Sequence, residues 1–251
     1  MAALALMFLV TAALYAAVGF GGGSTYNALL VLADTDYRVL PSIALLCNLI
    51  VVTGGVLQYR RSGDLDLRFA LPFVALSIPM AWLGGRVPIE QEAFVLLLGL
   101  SLLAAGIAMW LQPTQPSSSR PAPAKLISVF GLPVGGCIGF LSGMVGIGGG
   151  IFLAPALHLL RLAEPKRIAA TSSLFIMVNS ISGLAGQTMK QGTTAHLDRL
   201  ADYLWLFVAV LIGGQIGSRL SAKALSGRVV KRLTAVLVLY VAGRLLYTSL
   251  G

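Results

Sequence analysis

Charge is what this chain lacks. Only 11% of its 251 residues are Asp, Glu, Lys or Arg, under half the share of an ordinary soluble domain. The acids are Asp34, Asp36, Asp64, Asp66, Glu90, Glu92, Glu164, Asp198 and Asp202, and all lie in loops or at segment ends. Proton relays in carriers usually use carboxylates buried at mid-membrane; none is available here. Histidine is limited to His158 and His196, and cysteine to Cys47 and Cys137. Both cysteines sit in apolar segments, where they act as small packing residues rather than disulfide or metal partners. No His-Glu-x-x-His pattern and no phosphate-binding glycine loop occurs, so hydrolytic metal chemistry and ATP-driven transport have no local support. The first 33 residues carry no Lys or Arg. A secretory signal needs a basic start, so the N-terminal segment reads as a retained helix.

What is present is apolar surface, 57% of residues with a mean hydropathy of +0.88, spread along the whole chain. These features describe an all-α polytopic membrane protein. Apolar segments fall at about 2–20, 24–33, 40–59, 69–86 and 92–111, then at about 126–145, 151–163, 169–187, 200–218 and 229–250. A Pro/Ser-rich linker separates the two sets. The expected organisation is an N-terminal transmembrane repeat over 1–111, a cytoplasmic linker over 112–125 and a C-terminal transmembrane repeat over 126–251. The formal charge of +9 reflects basic loops on one side of a membrane rather than a nucleic-acid surface.

Each set contains a glycine run in apolar surroundings, Gly19-Phe20-Gly21-Gly22-Gly23 and Gly146-Ile147-Gly148-Gly149-Gly150. Glycine inside a helix costs about 1 kcal/mol relative to alanine, so each run predicts a broken helix. Segments 24–33 and 151–163 are too short to cross a bilayer alone, since a span needs about 20 residues. Each half thus reads as a long helix, a break, a short helix and three further helices. Other matches recur in the same order: Asn48 with Asn179, Thr53-Gly54 with Ser182-Gly183, Gln58 with Gln187, Arg86 with Arg219, and Arg38 before Pro41-Ser42 as Arg167 before Thr171-Ser172. Shared order along the chain is the signature of an internal repeat.

Loop charges predict the topology. If each long–short pair forms a re-entrant hairpin, loops 60–68, 112–125, 161–168 and 219–232 share one side and hold 13 of the 18 basic residues. If each pair crosses once, the split is ten against eight. The positive-inside rule favours the hairpins. The two halves are then inverted-topology repeats, each a broken or re-entrant pair plus three transmembrane helices, with both termini outside.

Where two broken helices start near a common centre, their N–H groups and dipoles form an anion site. Such sites lie between repeats in secondary transporters, whereas a run of small residues can also serve tight helix packing. The candidate ligands are the Gly21, Gly22 and Gly23 backbone with Ser24 and Thr25, and the Gly148, Gly149 and Gly150 backbone. Ser24 is also a natural N-cap. Asn48 and Asn179 are polar amides within apolar spans, able either to donate to an anion or to hold broken backbone. Ser172, whose counterpart is Ser42, can face the same cavity. Gln58 and Gln187 read as interfacial or gating residues, Arg86 and Arg219 as snorkelling ones, and His158 as packing near an interface.

The residues Gly19 to Gly23 with Ser24, Ser142-Gly143-Met144-Val145-Gly146-Ile147-Gly148-Gly149-Gly150, Ala169-Ala170-Thr171-Ser172-Ser173, Asn179 and Gly213-Gly214-Gln215-Ile216-Gly217-Ser218-Arg219 resemble the sulfite exporter TauE/SafE family, also called the toluene sulfonate uptake permease family. The likeness runs through both halves, with a less typical first glycine run. It implies multi-pass transport of a small sulfur-containing anion, such as sulfite, sulfoacetate or another organosulfonate, across the bacterial inner membrane. It implies no cofactor and no metal. Besides the substrate and the lipid bilayer, a coupling proton or sodium ion and a second copy of the chain are the partners to consider. A passive anion channel is the competing reading. A membrane enzyme would need a nucleophile–base pair or metal ligands facing one cavity.

Overall fold

The computed structural model describes residues 2–18, 21–111, 124–191, 200–220 and 227–250. Gly19 and Phe20 of the first glycine run, residues 112–123 of the expected linker, and His196, Asp198 and Arg199 lie outside the described residues, as does the Arg219 side chain. The chain folds into α1 (Ala2–Val18), α2 (Gly23–Leu32), α3 (Leu40–Ser62), α4 (Leu67–Arg86), α5 (Gln91–Leu111), α6 (Ala124–Val145), α7 (Gly150–Leu159), α8 (Pro165–Gln191), α9 (Leu204–Leu220) and α10 (Gly227–Leu250). Leu40–Ser62, Leu67–Arg86, Gln91–Leu111 and Pro165–Lys190 are long and apolar enough to cross a membrane. The remaining helices include shorter apolar stretches. Leu6, Leu71, Leu100, Ile107, Leu132 and Val208 point outward, as lipid-facing residues do. No Asp, Glu, Lys or Arg is among the buried described residues, whereas Ser, Thr, Asn and Gln are.

Helix ends follow local chemistry. The Asp66 carboxylate accepts the N–H groups of Arg68 at 2.9 Å and Phe69 at 3.1 Å, capping α4. The same carboxylate pairs with Arg167 at the start of α8, and that guanidinium lies over the Phe69 ring at 4.5 Å. The short helix expected over 151–163 is shorter than its apolar run, because it stops at Leu159 and turns at Arg161 with φ +52°. Pro165, suited to a first helical turn, then starts α8 before the expected position 169.

Close glycine contacts reveal the direction of each helix. Gly131, Gly135, Gly139 and Gly143 of α6 meet Pro72, Phe73, Ser77 and Ala81 of α4 in ascending order, so these helices run parallel. Small residues at a spacing of four let the backbones approach closely, the main attraction between helices in lipid. Helix α8 also runs parallel to α4, with Ser182 donating to Ile78 O at 2.6 Å and Gly186 against Trp82. Since α6 and α8 run the same way, α7 between them must return toward the side on which α6 began. That is a re-entrant pair.

Two further pairings join helices far apart in the sequence. Helices α3 and α8 run antiparallel, with Leu45 against Gly183 while Asn48 and Ile176 share contacts with Gly21 and Gly148. Helices α5 and α10 are also antiparallel, with Gly99 beside Leu245 and Leu246, and Gly106 beside Leu239. Helix α9 packs along α1 in parallel, Gly213 against Leu9 and Gly217 against Ala13, as α4 does along α6.

Candidate functional site

The glycine breaks meet each other. A Cβ on Gly23 would collide with the Ile147 carbonyl, and one on Gly21 or Gly148 would come within 2.5 Å of the Asn48 amide. The two runs use glycine for different reasons. Gly148 and Gly149 have φ of +84° and +78°, the left-handed region that a side chain disfavours. Gly21 and Gly23 instead leave room for the opposing break. Residue Asn48 lies roughly 12 Å along α3 at about 1.5 Å per residue, so the meeting point is about a third of the way along this span, well inside it.

Asn48 fastens both breaks. Its Oδ1 accepts the Gly22 N–H at 3.0 Å, and its Nδ2 donates to Ile147 O at 3.2 Å. Two residues not proposed as ligands complete the join. Asn27 Nδ2 donates to Val145 O at 2.8 Å, and Gln187 Nε2 donates to Gly143 O at 2.9 Å and Met144 O at 3.3 Å. The last carbonyls of a helix have no partner within it, and here side-chain amides supply one. Gln187 is fully buried, so its expected interfacial or gating position is corrected to a cap on α6. Its matched residue Gln58 is exposed. The signal for Asn27 was present, an amide in a short apolar helix just after a glycine run, but its target is 118 residues away.

Asn179 is different. It is fully buried, and neither its Nδ2 nor its Oδ1 has a hydrogen-bond partner. The hydroxyls of Thr171 and Ser172 on the same helix are also buried and unpartnered. Ser172, Ile176 and Asn179 follow i, i+4, i+7 spacing and so share one face of α8. Ile176 at the centre of that face touches Gly21, Gly148 and Gly150, which sets the face against both breaks. An unpaired buried polar group costs about 1–3 kcal/mol. Ser172 and Asn179 thus leave unmet hydrogen-bonding capacity on the face of α8 beside the broken helices.

All the expected site residues are buried, and the breaks bring most of them together. Ser24 is not the N-cap of α2. The helix begins at Gly23 with Gly22 as its cap, which makes Ser24 its second residue. The Thr25 hydroxyl is 2.9 Å from the Tyr15 hydroxyl. Neither α2 nor α7 has a side-chain cap; the Phe152 N–H bonds to Gly149 O at 3.1 Å, and the positive dipole ends of both helices face the join.

The family profile described as Sulfite exporter TauE/SafE matches residues 4–245. The chain is 32% identical to a protein named Probable membrane transporter protein y4hK from Sinorhizobium fredii (strain NBRC 101917 / NGR234), over 97% of each chain. It is 25% identical to Probable membrane transporter protein YunE from Bacillus subtilis (strain 168), over 88% of this chain and 89% of that one. No solved structure gives a significant match.

Proposed function

The chain belongs to the sulfite exporter TauE/SafE family, and from that premise we propose that it carries a sulfur-containing anion, sulfite or an organosulfonate, across the bacterial inner membrane. The carrier works by alternating access between two inverted halves. Antiparallel packing of α3 with α8 and of α5 with α10 supports inversion, because these helices occupy matching places in the two halves.

The unpartnered Asn179 amide carries the reading. The anion sits against Asn179 Nδ2, with the Ser172 and Thr171 hydroxyls about two turns away along α8 as a second station and the N-termini of α7 and α2 adding N–H donors and dipole charge. Asn48 holds the two breaks together, so movement of one half is felt by the other. Among the described residues no carboxylate is buried, so none repels an anion at this join. The Gly21 to Ser24 segment contributes backbone and the Ser24 hydroxyl, whereas the Thr25 hydroxyl is already 2.9 Å from that of Tyr15.

Proteoliposomes preloaded with unlabelled sulfite and diluted into radiolabelled sulfite test the carrier mechanism. Transient accumulation of label by counterflow, saturable in substrate, is expected. Uptake that neither saturates nor accelerates with internal anion indicates a channel and refutes alternating access. A parallel screen of sulfite, sulfate, thiosulfate, sulfoacetate and taurine fixes the substrate.

A further inference from the structure

The starts of α4 and α8 and the turn after α7 meet at one end of the protein, and that end is basic. Residues 60–68 and 161–167 hold six Lys or Arg against the three acids Asp64, Asp66 and Glu164. We propose that this end holds an anionic phospholipid, with its phosphate between Arg68, Arg161 and Lys166 and its acyl chains along the exposed leucines beside them.

Three observations carry the assignment. First, packing gathers the three cations from distant parts of the chain. Phe69, Leu162 and Ile168 belong to one buried apolar cluster. Arg68 and Arg161 directly precede the first two, Lys166 stands two residues before the third, and all three cations are exposed. The Asp66–Arg167 pair fastens the start of α4 to the start of α8, which keeps Arg68 and Lys166 near each other.

Second, two of the three acids are already engaged. Asp66 caps α4 and pairs with Arg167, and Asp64 accepts from the Ser62 hydroxyl at 2.6 Å. Glu164 is the third, one acid against three cations. Like charges gathered at a surface repel each other, and a phosphate between them relieves the repulsion. The acids Asp34, Asp36, Glu90 and Glu92 lie beyond the opposite ends of α3 and α4.

Third, the same short stretches expose large apolar side chains. Leu67, Leu71, Leu159 and Leu160 are each more than half exposed. Leu67 and Leu71 stand one turn apart on one face of α4, next to Arg68, and Leu159-Leu160 directly precede Arg161. A soluble phosphate would use the cations and leave these leucines bare. A phospholipid satisfies both, because its acyl chains cover the leucines while its headgroup meets basic side chains reaching the membrane surface. Bound there, it bridges α4 and the turn that ends α7, and so braces the re-entrant hairpin.

The inference does not depend on what the protein carries, so its test needs no flux. The full chain is released from nanodiscs of equal phosphatidylcholine and phosphatidylglycerol, and the lipids that stay bound are counted by native mass spectrometry. Preferential retention of phosphatidylglycerol is expected. Arg68→Gln, Arg161→Gln and Lys166→Gln should each lower that retention about five-fold, the effect of one cation at a membrane surface. Arg86→Gln, at the far end of α4, should leave it unchanged. Equal retention of the two lipids by the native chain overturns the proposal, and this comparison stands whether or not a variant folds. Retention undiminished in the three folded variants also overturns it. Millimolar glycerol 3-phosphate should not displace the lipid; displacement would assign the cations to a soluble phosphate and remove the leucines from the site.

Discussion

Asn48 and Asn179 match in the repeat expected from the sequence, yet their environments predict opposite consequences for one substitution. Leucine is close in shape to asparagine, so Asn→Leu removes the amide with little cavity cost. At Asn48 it frees the Gly22 N–H and the Ile147 carbonyl, two buried backbone groups without another partner. Such groups cost about 1–3 kcal/mol each, giving about 2–6 kcal/mol for two. Interhelical bonds measured in membranes average only about 0.6 kcal/mol, which sets a floor near 1 kcal/mol. A loss of about 3 kcal/mol is expected. At Asn179 nothing in the protein loses a partner, so Asn179→Leu should be neutral or stabilising by up to about 2 kcal/mol. The assay is thermal melting in nanodiscs with and without the anion that gives the native chain its largest shift. Saturating ligand at about 100 times Kd adds about 2.7 kcal/mol. Asn48→Leu should melt several degrees lower and keep a ligand shift; Asn179→Leu should melt as the native chain does and lose it. If Asn179→Leu is destabilised as much as Asn48→Leu while retaining the full ligand shift, the division of roles is wrong.

Other positions give sharper contrasts than their sequence context suggests. Gly149→Ala should reduce anion flux and cost at least about 1–2 kcal/mol, from the left-handed backbone and from a Cβ placed 2.7 Å from Phe175 and 2.8 Å from Ile138. Gly54→Ala, in open space within α3, should gain about 0.5–1 kcal/mol; equal melting of the two variants would refute the distinction. Asp66→Asn should cost no more than about 1 kcal/mol, since the pair with Arg167 is about 40% exposed. That cost should shrink in high salt, and a larger, salt-independent loss would contradict an exposed pair. Finally, Arg38→Cys should react with a membrane-impermeant maleimide on intact cells, and Arg61→Cys only after permeabilisation. The reverse pattern would turn the expected topology over.

Much of the architecture was readable because its causes are local. Apolar length sets which segments become helices, and glycine cost sets where they break, so α1 to α10 follow the expected segments within a few residues. Boundary errors also have local causes: Pro165 starts α8 early, and Arg161 ends the run after α7. The site was less readable. The pattern marked Asn48 and Asn179 equally, while Asn27 and Gln187 were not proposed as ligands or supports for the break.

By itself the sequence determined an apolar chain with two glycine runs in apolar surroundings, each of which must break a helix, and acids placed only in loops or at segment ends. These follow from composition and spacing, which need no knowledge of neighbours. Only the tertiary structure decided that Asn48, Asn27 and Gln187 hold the breaks while Asn179 keeps its amide unpaired, and that Asp66 meets Arg167 at the starts of α4 and α8. A hydrogen bond or an ion pair depends on which distant group arrives within about 3 Å, and helix packing across the two halves makes that choice.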